Sequence, residues 1–174
     1  MQVLPDIVGA DPLVVFCGLA GAESTKPRDH FYESPGNNFW AMLHQSGLTP
    51  RRLRPDEDRR VVEFGLGLTD LVGCWAPPRV DVDDLVAKVD GWQPDWLAFT
   101  SKDVAGKAAG ALGHRKPGLG PASWQVGSAD VFVLPGTSGA NQRRDYDGRP
   151  SRLGWWRDLA GLVGVEPTAD GDGF

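Results

Sequence analysis

The chain has 174 residues, 41% of them apolar and 24% charged, the composition of one folded domain and not of a disordered polymer. No apolar run approaches the ~18 residues of a membrane-spanning helix, and the first residues lack the basic and apolar regions of a signal peptide, so a cytoplasmic location is expected. The net charge of −5 at first sight disfavours a polyanionic partner.

In chain order, LVVFCG (13–18) is a continuous apolar run ending at glycine, which predicts a strand buried on both faces. A polar loop follows over 18–36. Residues 38–47 have helical periodicity, with Gly47 as the stop. Pro55 and the acids after it predict a helix over 55–64. GLGLTDLVG (65–73) predicts a second strand, and 81–90 a short acidic helix. WLAFTS (96–101) reads as a third strand and the Ala-rich stretch 102–112 as a helix. ADVFVLPGTSG (129–139) reads as a fourth strand running into a Pro/Gly/Ser loop, and 152–163 as a final amphipathic helix. Strands alternating with helices imply a three-layer α/β/α sandwich around a mainly parallel four-stranded sheet. The domain is expected over 1–163, with 164–174 as an acidic tail. Ligands of such sheets bind beyond the C-terminal ends of the strands, which points to the loops 18–36, 69–79 and 135–151.

The charge is unevenly spread. Residues 81–95 hold five acids and one lysine, and 166–174 hold three acids, while 51–60 and 143–157 each hold five arginines. Cys17 and Cys74 form no CxxC pair, and His30, His44 and His114 are scattered. Neither a metal site nor a cofactor is therefore expected. The segment GLAGAES (18–24) lacks the GxGxxG spacing of a dinucleotide fold.

The segment VVFCGLAGAESTKPRDHFYESPGNNFW (14–40) resembles the uracil-DNA glycosylase superfamily, most closely its mismatch-specific uracil/thymine branch. There a buried strand leads to GINPG, then a loop with an aromatic, then PGN and FW. Residues 46–72, WQPDWLAFTSK (92–102), VFVLPGTSGAN (131–141) and the helix around Trp155–Trp156 resemble further segments of that family in the same order. The resemblance implies base excision repair: a damaged base is flipped from DNA and its N-glycosidic bond hydrolysed. It implies a monomer acting on DNA that carries uracil or another damaged base, without a membrane, metal or cofactor.

Residue by residue, Tyr32 matches the aromatic that stacks on the flipped base, and Gly18 and Leu19 flank the base pocket. Ala20 stands where the family has the Asn that positions water, so only its backbone is available. Three routes stay open: another residue holds the water, with Glu23 as the candidate base; the backbone and the cationic transition state suffice; or the protein binds DNA with little turnover. Asp70 stands where the family carries Asn or Lys beside the base edge. An ionised carboxylate accepts but does not donate, so Asp70 takes an N–H of the base, donates only if protonated, or serves the sugar and the water. The loop 135–144 matches the second family motif. Ser138 and Gly139 suit phosphate contact, Asn141, Gln142 or Arg143 a wedge in the vacated stack, and Arg143, Arg144 and Arg149 further phosphates. Asn37 is read as structural, and Lys102 as structural or phosphate-binding. Two other readings remain: a module that captures uracil-containing or abasic DNA without turnover, and an unrelated nucleotide-binding α/β protein.

Overall fold

A computed structural model describes residues 4–21, 28–75, 78–139 and 145–164. The elements are β1 (Val14–Gly21), α1 (Phe39–Gln45), a 3-10 helix (Pro55–Phe64), β2 (Leu66–Trp75), β3 (Pro78–Val80), α2 (Val82–Trp92), β4 (Trp96–Phe99), α3 (Lys102–Ala111), β5 (Gly120–Val126), β6 (Ala129–Val133) and α4 (Arg152–Leu162). The strands form one sheet in the order β3-β2-β1-β4-β6-β5.

The four expected strands are its parallel centre, in the order β2-β1-β4-β6. The sheet has six strands rather than four, because β3 and β5 add antiparallel edges. These edges lack the continuous apolar run that marks the centre. β3 is three residues long, and β5 opens on Gly-Pro and turns alternate residues outward, as edge strands do. The stretch 55–64 is a 3-10 helix kinked at Glu57 (φ −102°, ψ 16°), not the α-helix its composition suggests. Glu57 bends back to accept from the Arg54 amide at 3.1 Å and from the Arg51 guanidinium, and 3-10 geometry survives only in short pieces.

The centre of the sheet is apolar on both sides, as the unbroken run of β1 requires. Val14 and Phe16 enter one core with Phe39, Leu43, Trp156 and Leu159 of α1 and α4. Val15 and Cys17 enter the other with Leu85, Val89, Val104 and Ala108 of α2 and α3. Three layers result. From β1 the chain passes to β2 on one side and later returns as β4 on the other. Such a reversal opens a crevice outside the C-terminal ends of the flanking strands, here β1 and β4.

Candidate active site

Side chains alternate along a strand. Beyond Val14 and Phe16, the next residues of β1 on the α1/α4 side are Gly18 and Ala20. Beyond Leu66 and Leu68 of β2, the next is Asp70, which stands opposite Gly18 in the parallel register. Beyond Ala98 of β4 comes Thr100. This face of the sheet thus leaves its core and becomes polar where the strands end. Gly18 is needed there: a Cβ would lie 2.9 Å from Asp70 Oδ1 and 2.9 Å from Tyr32 Oη, closer than any side chain tolerates.

Tyr32 crosses this end of the sheet. Its ring stacks on Phe39, centroids 3.9 Å apart and planes 16° from parallel, and its hydroxyl donates to Thr100 Oγ1 at 3.1 Å. Phe39 is itself wedged edge-on by Phe16, Trp40 and Trp156. Burial, reinforced by the Asp70 charge, pushes the Tyr32 phenol well above its ordinary range, so it stays a neutral donor. Tyr32 has a left-handed backbone, φ 52°, which a bulky residue adopts only when its surroundings impose it. The surroundings are visible. Glu33 accepts from the Asp29 and His30 amides. Buried Asp58 of the 3-10 helix accepts from the Phe31 amide at 3.2 Å and lies 3.4 Å from His30 Nδ1. Trp40 Nε1 donates to the Phe31 carbonyl.

Asp70 lies inside β2 and its side chain is 3% exposed. A buried carboxylate needs a partner, and Arg28 supplies it: Nη2 donates to Asp70 Oδ2 at 2.9 Å. Burial raises the Asp70 carboxyl above its ordinary range, with the Arg28 hydrogen bond and charge opposing it in part.

The loop after β6 packs against the turn before α1. The Asn38 amide donates to the Thr137 carbonyl at 2.8 Å, and a Cβ on Gly139 would lie 2.7 Å from the Gly36 carbonyl oxygen. Arg152 donates to the carbonyls of Gly136 and Ser138 at 3.0 and 2.9 Å, so this guanidinium braces the loop. Asn37 Oδ1 accepts from the Phe39 amide at 2.9 Å, the structural role expected of it. Beside the loop a cavity of about 610 Å³ is lined by Ser101, Lys102, Lys116, Gly136 and Asp147 among others. Lys102 bonds Asp147 there at 2.6 Å. Arg149, read from sequence as a phosphate contact, pairs with Asp158 and lies over the Trp155 ring.

The structure thus brings Gly18, Ala20, Tyr32 and Asp70 to one place and sets Ser138 and Gly139 on the neighbouring loop. The Leu19 side chain packs with the other core, on the opposite face of the sheet, which leaves only its backbone near the cluster. Glu23, Asn141, Gln142, Arg143 and Arg144 lie outside the described residues. Sequence reasoning missed Arg28, Thr100 and Asp58. Arg28 and Asp58 reach partners 42 and 27 residues away, and only the one unpartnered carboxylate of the second strand hinted at a distant cation.

A model of the uracil DNA glycosylase superfamily matches residues 5–160, which is most of the chain. The protein belongs to the uracil DNA glycosylase superfamily. The superfamily generally hydrolyses N-glycosyl bonds and acts on DNA, so membership suggests a uracil-DNA glycosylase type of function in DNA repair. The mixed α/β sandwich agrees with the superfamily's fold. Among the described residues no helix is long and apolar enough to cross a membrane, and no group of three or more His, Cys, Asp or Glu side chains could hold a metal ion.

Proposed function

We propose that this protein is a monofunctional DNA glycosylase that extrudes uracil, or a related deaminated base, and hydrolyses its N-glycosidic bond. The observation that carries the reading is the convergence of Gly18, Tyr32 and Asp70 at the reversal point of the sheet, in a chain of this superfamily. Tyr32 offers the aromatic face for the extruded base, backed by Phe39 so that the ring does not yield. Stacking of this kind contributes about 1–3 kcal/mol per base. Gly18, bare of a side chain, lets Asp70 Oδ1 and Tyr32 Oη come together over the end of β1. Asp70 stands at the edge of the base. In the bond-breaking step the electron pair of the C1′–N bond leaves with the base. A water oxygen bonds to C1′, and the water proton passes to solvent or to the base. Ser138 and Gly139, with Arg143 and Arg144, are assigned to the phosphate backbone, and Asn141 or Gln142 to the vacated stack.

Ala20 favours a second reading. It is 6% exposed, apolar, and on the same face as Gly18 and Asp70, so its side chain holds no water. On that reading the protein captures uracil-containing or abasic DNA with little turnover. Glu23 is the residue assigned to the water on the first reading. One experiment separates the two: uracil-containing oligonucleotide is incubated with stoichiometric protein, half is cleaved with alkali at abasic sites, and half is run as a gel shift. Strand breakage supports the glycosylase. A uracil-dependent shift with an unbroken strand supports the binding module. An unbroken strand with no uracil-dependent shift overturns both readings.

A further inference from the structure

We propose that Arg28 and Asp70 act as one reading head for the extruded base, Arg28 donating to a ring carbonyl and Asp70 Oδ1 accepting the neighbouring ring N–H. This rests on the assignment of the Gly18–Tyr32–Asp70 cluster to the base. A carboxylate alone reads half an edge: it accepts an N–H but offers nothing to the adjoining carbonyl oxygen. It also opposes the negative charge that a departing base acquires. Arg28 meets both deficits. Among the described residues only its Nη2 is engaged, on Asp70 Oδ2 at 2.9 Å, and a guanidinium has five N–H donors in a rigid fork. The other carboxylate oxygen, Oδ1, has no such bond to Arg28 and lies over Gly18 on the side of Tyr32 Oη, each 2.9 Å from where a Gly18 Cβ would stand. The Arg28 side chain is 32% exposed against 3% for Asp70, so the cation lies on the open side of the pair.

The acceptor and the donor stand side by side, which defines a class of base. Uracil, hypoxanthine and xanthine carry a lactam edge, a ring N–H next to a carbonyl, and both groups are satisfied. Cytosine and adenine carry a bare ring nitrogen next to an amino group. Their nitrogen then meets the carboxylate and their amino group meets the guanidinium, leaving buried polar groups unpaired, the most discriminating arrangement a site can use. Thymine and guanine also present a lactam edge, so this pair does not reject them, and shape must do so.

The test is equilibrium binding to oligonucleotides carrying uncleavable 2′-fluoro-2′-deoxyuridine, or its 2-thio or 4-thio analogue, whose sulfur is a poor acceptor. Wild type, Arg28→Gln and Arg28→Lys are compared, each with a melting curve to show that it is folded. The expected result is that wild type prefers the oxo base to one of the thio analogues. Arg28→Gln should bind the uracil strand about tenfold or more weakly and lose that preference, and Arg28→Lys should keep part of it. Undiminished binding by Arg28→Gln would overturn the proposal. So would an equal weakening toward all three bases, which would make Arg28 only a tether for Asp70. Excision by wild type is measured in parallel. Absent excision with an intact Arg28-dependent preference removes the enzyme and keeps the reading head. Excision without that preference removes the reading head alone.

Discussion

The ring of Tyr32 rests on that of Phe39 at 3.9 Å and 16°, so a third ring added to the outer face would extend an existing stack. Tyr32→Ala should lower uracil-DNA affinity or single-turnover excision by about 1–3 kcal/mol. Tyr32→Phe, which keeps the stack and loses only the bond to Thr100, should stay within about 1 kcal/mol of wild type. Comparing the two rates separates stacking from the hydroxyl, and equal losses would remove Tyr32 from base contact.

Gly18→Ala places a methyl group 2.9 Å from two polar atoms of the cluster. The carboxylate and the ring must both give way, so excision should fall at least tenfold while stability drops by about 1–3 kcal/mol. Gly91→Ala is the matched control. Gly91 lies in α2 with nothing near its missing Cβ, and the change should raise stability by about 0.5–1 kcal/mol without altering excision. Thermal melting with a single-turnover assay checks both.

Asp58 holds the loop that carries Tyr32 in its left-handed conformation. Asp58→Ala strands the buried Phe31 amide, an expected cost of about 1–3 kcal/mol, and should raise KM for uracil-DNA as the ring loses its place. Asp58→Asn retains an acceptor for that amide and should restore most of the stability. If the two variants melt alike, the Phe31 bond is not what Asp58 contributes.

The raised carboxyl of Asp70 has a pH signature. The folded state holds this proton more tightly than the unfolded chain. Its contribution to stability is therefore complete below the ordinary carboxylate pKa and is lost as pH rises through the raised value. Asp70→Asn has no such titration, so wild type should lose ground to it as pH rises from the ordinary carboxylate range toward neutrality, with other groups cancelling in the difference. Urea midpoints of both proteins across that range give the sign. A difference that is flat, or that grows the other way, would mean that the Arg28 pair outweighs burial.

The legible parts of this fold were those where one physical pressure dominates. β1, β2, β4 and β6 are covered on both faces, and that leaves a mark no loop imitates. Ser101 and Asp81 cap α3 and α2 by accepting from the Val104 and Asp84 amides, which is why those starts could be read to within a residue. β5 could not be read, because its outward residues answer to solvent and to Trp155 packed against Gly120, neither of which is local. Tyr32 and Asp70 were legible by resemblance and Gly18 by its place at the strand end. Arg28 was one charge among several in a polar loop. Only the parallel register of β1 and β2, which buries Asp70 opposite Gly18, shows why that loop must supply a cation.

The acids of 81–95 ride mainly on α2, which packs through Leu85 and Val89 against the face of the sheet opposite Tyr32 and Phe39. Lys88, the one base in that stretch, already lies 3.0 Å from Asp6 and 3.1 Å from Asp84. The α2 flank therefore presents a local surplus of negative charge, which disfavours a polyanion at that helix. A charged patch of this kind biases the orientation of diffusional encounter with a charged partner. On the proposed reading, the acids of α2 turn that helix away from DNA and leave the encounter to other faces of the protein.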